Sequence, residues 1–186
     1  MANTVANVST GKPKTTGGVW MAPAGTTLPT DATTALGNDF KCLGYISEDG
    51  VKESCDMSVN TINAWGGDPV LTAQENKTYT YSFTPIETIN VEVLKAMYGP
   101  DNVSVDSQSG LITVKGNSKE VEAFVYVIEL ALRDGAYERI VLPNGKLTSL
   151  GDQTYNDSDP IGAETEITAL PGSDGDAFKK YILPAA

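Results

Sequence analysis

The sequence predicts a mainly β domain, a β-sandwich or partial barrel with one α-helix packed on it. Three observations carry that reading. Apolar and polar residues alternate with period two in a series of short runs. The clearest is Lys77 to Thr84, with Tyr79, Tyr81 and Phe83 on one face and Thr78, Thr80, Ser82 and Thr84 on the other. Eighteen glycines and ten prolines in 186 residues punctuate those runs with turns. One segment has a convincing helical period: Ile89, Val93 and Met97 share a face, with Leu94 and Tyr98 beside them and Gly99-Pro100 as the stop.

Residues 1–18 are polar, end in Thr15-Thr16-Gly17-Gly18 and show no period, so they read as a flexible amino-terminal arm, with residues 19–186 as one domain carrying long loops. Val19 to Ala22, closed by Pro23, is a short strand. Ala24 to Asp39 is rich in Thr, Ala and Pro and reads as a loop lying across another surface. The composition of arm and loop predicts that both order only on assembly, because neither buries enough apolar area within one subunit to offset its ordering entropy. Cys42 to Ile46 is the next strand, with Ser47-Glu48-Asp49-Gly50 as its turn. Residues 52–65 alternate, Met57 and Val59 opposite Asp56, Ser58 and Asn60, and a slip of phase near Thr61 predicts a bulge.

Trp65 to Pro69 turns the chain into the Lys77–Thr84 strand. Thr84-Pro85-Ile86-Glu87 has capping-box spacing, while Thr88 or Asn90 would start a shorter helix. Val103–Val105 and Leu111–Val114 flank an Asp106–Gly110 turn as a hairpin. Glu122 to Arg133 is apolar on both faces and rich in β-branched and aromatic residues, which predicts a strand buried on both sides. The remaining elements are Tyr137–Leu142, a Pro143-Asn144-Gly145 turn, Lys146–Leu150, an acidic loop from Gly151 to Pro160, Glu164–Leu170 and Phe178–Leu183.

Composition excludes much chemistry. The chain has no histidine, which removes Ser-His-Asp and Cys-His nucleophiles and His-ligated metals. Cys42 and Cys55 stand apart from any Cys-x-x-Cys pair and read as reduced, packed thiols rather than a disulfide. No Gly-rich phosphate loop occurs. Asp152, Asp157 and Asp159, with Asp174 and Asp176, fail the EF-hand spacing and read as solvated loop acids. Asp56, Glu164 and Glu166 could pair for glycoside hydrolysis, but nothing sets two of them across a cleft. No catalytic residue, cofactor or metal is expected. Thirteen basic against 24 acidic residues give a net charge of −11, which disfavours attraction to nucleic-acid phosphates or an anionic membrane. The start of the chain lacks a signal peptide, so a soluble protein made in a reducing cytoplasm is expected.

Several phrases are more specific than this composition. Gly18-Val-Trp-Met-Ala-Pro23, Gly25-Thr-Thr-Leu-Pro-Thr-Asp-Ala-Thr-Thr-Ala-Leu36, Leu43-Gly-Tyr-Ile-Ser-Glu-Asp-Gly50 and Ala64-Trp-Gly66 are followed in order by three more. These are Asp101-Asn-Val103, Arg139-Ile-Val-Leu-Pro-Asn144 and Ala163-Glu-Thr-Glu-Ile-Thr-Ala-Leu-Pro171. Over roughly residues 11–183 the chain resembles the major tail tube proteins of long, non-contractile-tailed (siphovirus-type) bacteriophages. The resemblance implies a β-sandwich with a flanking helix, similar to the tubes of type VI secretion and phage-tail-like bacteriocins. Six subunits would form a ring, each lending strands to an inner β-barrel, and the rings would stack into a hollow tube. Its implied partners are further copies of itself, a tape-measure protein, the tail terminator and baseplate or tail-tip proteins. Genomic DNA would pass through the lumen without specific binding, and no membrane is involved. The implied place is the virion tail, assembled in the host cytoplasm, with no carboxy-terminal Ig-like decoration. A β-sandwich adhesion or carbohydrate-binding module is the alternative, and it would need an exposed aromatic cluster and a secretion signal, neither of which is visible.

A tube that conducts DNA favours hydroxyls and carboxylates over cations on its lining, since lysines and arginines would capture phosphates by counterion release. The wet strand faces that could supply such a lining are Asp56, Ser58 and Asn60; Thr78, Thr80 and Ser82; and Glu164 with Glu166.

Overall fold

The structure is a computed structural model that describes residues 3–185; Met1 and Ala2 of the expected arm and Ala186 of the expected domain lie outside the described residues. In chain order the strands are β1 (Gly11–Pro13), β2 (Val19–Pro23), β3 (Lys41–Cys42), β4 (Ile46–Asn63) and β5 (Pro69–Pro85). Helix α1 (Val91–Tyr98) follows, then β6 (Val103–Val105), β7 (Ile112–Val114), β8 (Phe124–Leu132), β9 (Tyr137–Leu150), β10 (Thr165–Leu170) and β11 (Lys179–Leu183). The fold is mainly β, as the alternation predicts. Nine strands form one antiparallel sheet in the order β3-β2-β8-β9-β10-β5-β4, with β1 beside β8 beyond β2 and β11 beside β9 beyond β10; β6 and β7 pair separately.

The long strand β9 belongs to both halves of the sandwich. Its first half lies between β8 and β11, and its second half pairs with β10. One face of this sheet buries Met21, Tyr81, Phe83, Tyr126, Ile128, Leu142 and Ile167 together with Val93 and Met97 of α1. The opposite face of β8 and β9, through Val125, Val127 and Val141, is covered by Phe40, Leu28 and Leu36. Strand β8 is thus buried on both sides from Phe124 to Glu129, which is why its sequence lacks alternation. Among the three candidate starts of the helix, Asn90 is the cap: its side chain accepts from the Glu92 amide at 3.0 Å, and Gly99, at φ 88°, donates back to the Lys95 carbonyl. Ile89 precedes the helix and is exposed.

Four local expectations change. Pro143-Asn144-Gly145 is not a turn but the middle of β9, with Asn144 opposite Leu170 and Gly145 opposite both Phe124 and Ala169. Glycine is required there by close approach, because a Cβ would sit 2.5 Å from the Tyr126 ring and 2.8 Å from an Ile167 methyl. Gly145→Val should therefore lower stability by about 1–3 kcal/mol through overpacking, read as a shift of the urea midpoint; an unchanged midpoint would show that the ring can move aside. Ser47–Gly50 is likewise not a turn. Ile46 faces Pro85 and Val51 faces Phe83, so these four residues bulge out of β4. The bulge expected near Thr61 falls on β5 instead, where Glu75 and Val70 are the extra residues.

The fourth change concerns ordering within one subunit. From Gly11 onward the expected arm is paired, Gly11–Pro13 lying against Leu130–Leu132, and the Lys14 amide donates to the Glu129 carbonyl. The loop from Ala24 to Asp39 is also ordered in the single chain, with Ala32 buried and Leu28 and Leu36 packed on the sheet. Composition missed this because the loop is held by side chains of other elements, described next. Cys42 is half-buried and Cys55 exposed; both are free thiols, so only Cys42 fits the expectation of packing.

Candidate functional site

The register between strands decides which of the wet faces meet. Ser54, Thr80, Thr168 and Lys146 stand side by side across β4, β5, β10 and β9, and the next row is Lys52, Ser82, Glu166 and Ser149. Asp56 faces Thr78, and Ser58 faces Asn76. Cross-strand partners share a face. Asp56, Ser58, Thr78, Thr80, Ser82 and Glu166 therefore lie on one continuous polar surface. Asn60 continues β4 past the bulge, opposite Ala73. Glu164, just ahead of β10, is exposed and reaches Lys52 at 3.8 Å. The opposite face of the same strands carries the buried Tyr81, Phe83 and Ile167. The hydroxyl of Thr148 lies 3.2 Å from the Glu166 carboxylate and 3.0 Å from the Thr168 hydroxyl, tying β9 to β10 on the wet side. The lysines of this face do not stand alone: besides Lys52, Lys146 meets Glu120 at 2.8 Å and holds its carboxyl below the ordinary value.

This four-stranded face has two open edges. Strand β4 ends the sheet order, and among the described residues no strand pairs with Lys146–Leu150 on the side of β9 away from β10. Beyond the sheet, β4 and β5 continue as a hairpin paired only to each other. Strand β10 accompanies β5 only from Tyr79 to Phe83, whereas the hairpin runs on to Asn63 and Pro69. Met57, Val59, Ile62, Val70 and Leu71 are exposed along it, and Trp65 at its tip is wholly in solvent. A two-stranded ribbon is marginal in water, and this one shows apolar side chains with nothing over them. Sequence alternation foreshadowed β4 but missed the first half of β5, where Gln74-Glu75-Asn76 breaks the period.

A second charged group lies on the far side of the sandwich. Glu129 and Arg139 face each other across β8 and β9, both buried, with guanidinium to carboxylate distances of 3.1 and 2.5 Å. Lys14 adds a third contact to the same carboxylate oxygen at 2.9 Å. The remaining donors reach into the long loop: Arg139 to the carbonyls of Asp31 at 2.8 Å and Thr34 at 2.7 Å, and Lys14 to that of Ala32 at 2.7 Å. Thr34 and the Thr33 amide hold the Asp31 carboxyl well below the usual carboxylate range, with Arg139 contributing. In sequence these groups showed only as a Glu interrupting the most apolar run and an Arg within a conspicuous phrase.

The sign of the Asp31 shift fixes a pH dependence. A carboxyl depressed in the folded state stabilises above its ordinary value of 3.8 and loses that contribution as pH falls through the folded value. The urea midpoint of the native chain should therefore exceed that of Asp31→Asn at pH 6, and the gap should narrow steadily as pH falls below about 4. A gap independent of pH would deny the carboxylate that role.

Among the described residues no three His, Cys, Asp or Glu side chains gather as a metal-holding group, and no helix is long and apolar enough to cross a membrane. No curated protein matches the chain. A family model of phage tail tube proteins matches residues 7–185, which take in the polar face, both open edges and the whole exposed hairpin; the chain belongs to the phage tail tube protein family, as a structural component of the virion tail that builds a tube from copies of itself.

Proposed function

We propose that six copies close edge to edge into a ring, that rings stack into the tail tube, and that the polar face lines a lumen through which the genome is ejected. The observation that carries this reading is the pair of open edges on one polar four-stranded sheet. Strands β4 and β9 run in opposite directions, so β4 of one copy can continue the antiparallel ladder on β9 of the next. A heterologous contact of this kind closes when its rotation does. Residues 19–186 act as one tail-tube domain, and residues 3–10, all in 1–18 and ahead of β1, serve as the part of the arm that bridges to neighbours.

Asp56, Ser58, Asn60, Thr78, Thr80, Ser82, Glu164 and Glu166 are the lumen side chains in this reading, hydroxyls, carboxylates and one amide over which DNA slides without capture. The tube is laid down on a tape-measure protein in the host cytoplasm, between tail-tip or baseplate proteins and a terminator. Negative-stain microscopy of the concentrated recombinant protein is the decisive experiment. Rings or tubes are expected, and a monomer at every concentration would overturn the reading. Charge reversal of Glu164 and Glu166 to Lys should leave tubes intact but slow ejection from mutant virions, an effect that high salt partly relieves. Ejection at the native rate in low and high salt would remove both residues from the lumen.

A further inference from the structure

Between β1 and the long loop lies a cleft of about 720 Å³, walled by Lys12, Lys14, Trp20, Glu129, Tyr137 and Arg139. Three cations stand there against one carboxylate, in a chain whose net charge is −11. Lys14 and Arg139 are engaged with Glu129 and the loop carbonyls, while Lys12 has no ion pair among the described residues and β1 is exposed throughout. The cleft opens at the amino-terminal end of β9, where Tyr137 and Arg139 belong.

The opposite charge sits at the other end of the same strand. Residues 151–164, which follow Leu150, hold Asp152, Asp157, Asp159 and Glu164 and contain no lysine or arginine. Their tip is pre-shaped, since the Asn156 side chain accepts from the amides of Ser158 and Asp159, and Tyr155 projects beside it, 73% exposed. The loop follows the carboxy-terminal end of β9 and the cleft opens at its amino-terminal end, fourteen strand residues away, a path of at most roughly 45 Å at about 3.3 Å each. Among the described residues no hydrogen bond or ion pair joins residues 151–164 to the lining of their own subunit's cleft, which leaves both to a second copy.

We infer that the acidic loop of one copy docks in the basic cleft of another, so that copies join end to end along the strand direction. The contact is heterologous and leaves one loop and one cleft unfilled at the two ends of any stack, so it propagates without limit. Charge complementarity sets its register, with Lys12 facing the loop carboxylates and Trp20 and Tyr137 offering an aromatic wall to Tyr155. This rests on the tube-forming reading, and assigns to that tube its ring-to-ring contact.

The test compares full-length variants by sedimentation and negative stain. Asp152→Asn with Asp157→Asn and Asp159→Asn should still form rings, but should need on the order of tenfold more protein to form tubes. The salt dependence of tube formation should flatten at the same time. Lys12→Glu should behave alike, and Lys12→Glu combined with Asp157→Lys should recover tubes at lower concentration than either change alone. Native concentration and salt dependence in the loop variant would overturn the docking while leaving the tube reading intact. Loss of rings as well as tubes would also overturn it, by placing the loop at a contact within the ring. Native protein that forms neither rings nor tubes would instead sink the tube reading itself.

Discussion

Replacing Arg139 by Ala should destabilise the subunit by about 3–5 kcal/mol, the largest effect expected of a single substitution in this chain. The guanidinium is 1% exposed and serves three acceptors at once: the Glu129 carboxylate and the carbonyls of Asp31 and Thr34. Its removal leaves Glu129 buried with Lys14 alone and strips the long loop of two of its ties, so the apolar cover over Val125, Val127 and Val141 loosens as well. Arg139→Lys should fall between, because a single ammonium cannot span acceptors that the planar fork reaches together. Equilibrium urea unfolding of the native chain and both variants gives the ranking. A loss under 1 kcal/mol for the Ala variant would mean that water replaces the guanidinium, and that the loop is held by Leu28, Leu36 and Phe40 instead.

The second large effect is on assembly rather than folding. Met57 and Lys77 face each other in the hairpin, so residues 58–76 can be replaced by Asn-Gly, the pair that closes a two-residue turn. The excised part touches none of the buried core, and the monomer's melting temperature should stay within a few degrees of native. Polymerisation should be abolished, because Val59, Ile62, Trp65, Val70 and Leu71 of the exposed apolar stripe and the outer third of the open β4 edge go with the hairpin. Tubes of normal appearance from the shortened chain would assign assembly to the rest of the molecule, and a collapsed melting transition would show that the hairpin supports its own subunit.

What was legible in the sequence follows from where each signal is local. Tyr79, Tyr81 and Phe83 alternate with hydroxyls because one face meets the core and the other is wet, and the structure keeps that division. Gly99 and the Asp106 turn speak through backbone geometry, and α1 and β6-β7 fall where they should. Apart from the first half of β5, where the period itself breaks, the misses involve distant partners. Asn144-Gly145 looks like a turn until Tyr126 and Ile167 are seen to need a residue without a Cβ. Gly11–Pro13 looks like free arm until Leu130–Leu132 lies alongside. The Thr- and Ala-rich loop has too little apolar area to order by itself, but Arg139 and Lys14, more than a hundred residues apart in the chain, hold it by its own carbonyls. The polar face was readable strand by strand as hydroxyls and carboxylates, whereas its continuity across β4, β5, β10 and β9 required the register.

That face consists of four strands, an even number, with alternate directions. At a seam between two copies the ladder therefore meets with the same up-down alternation that it has inside each copy, whether five, six or seven copies are present. Hydrogen-bond polarity cannot count subunits. The number in a closed ring has to come from strand tilt and from the wedge angle between neighbouring sheets, and within this face the extra residue Thr148 of β9 bends the ladder locally. Deleting that residue would be a change of circumference, a route by which a tube gene could alter the bore of its product while every ladder bond stayed in kind.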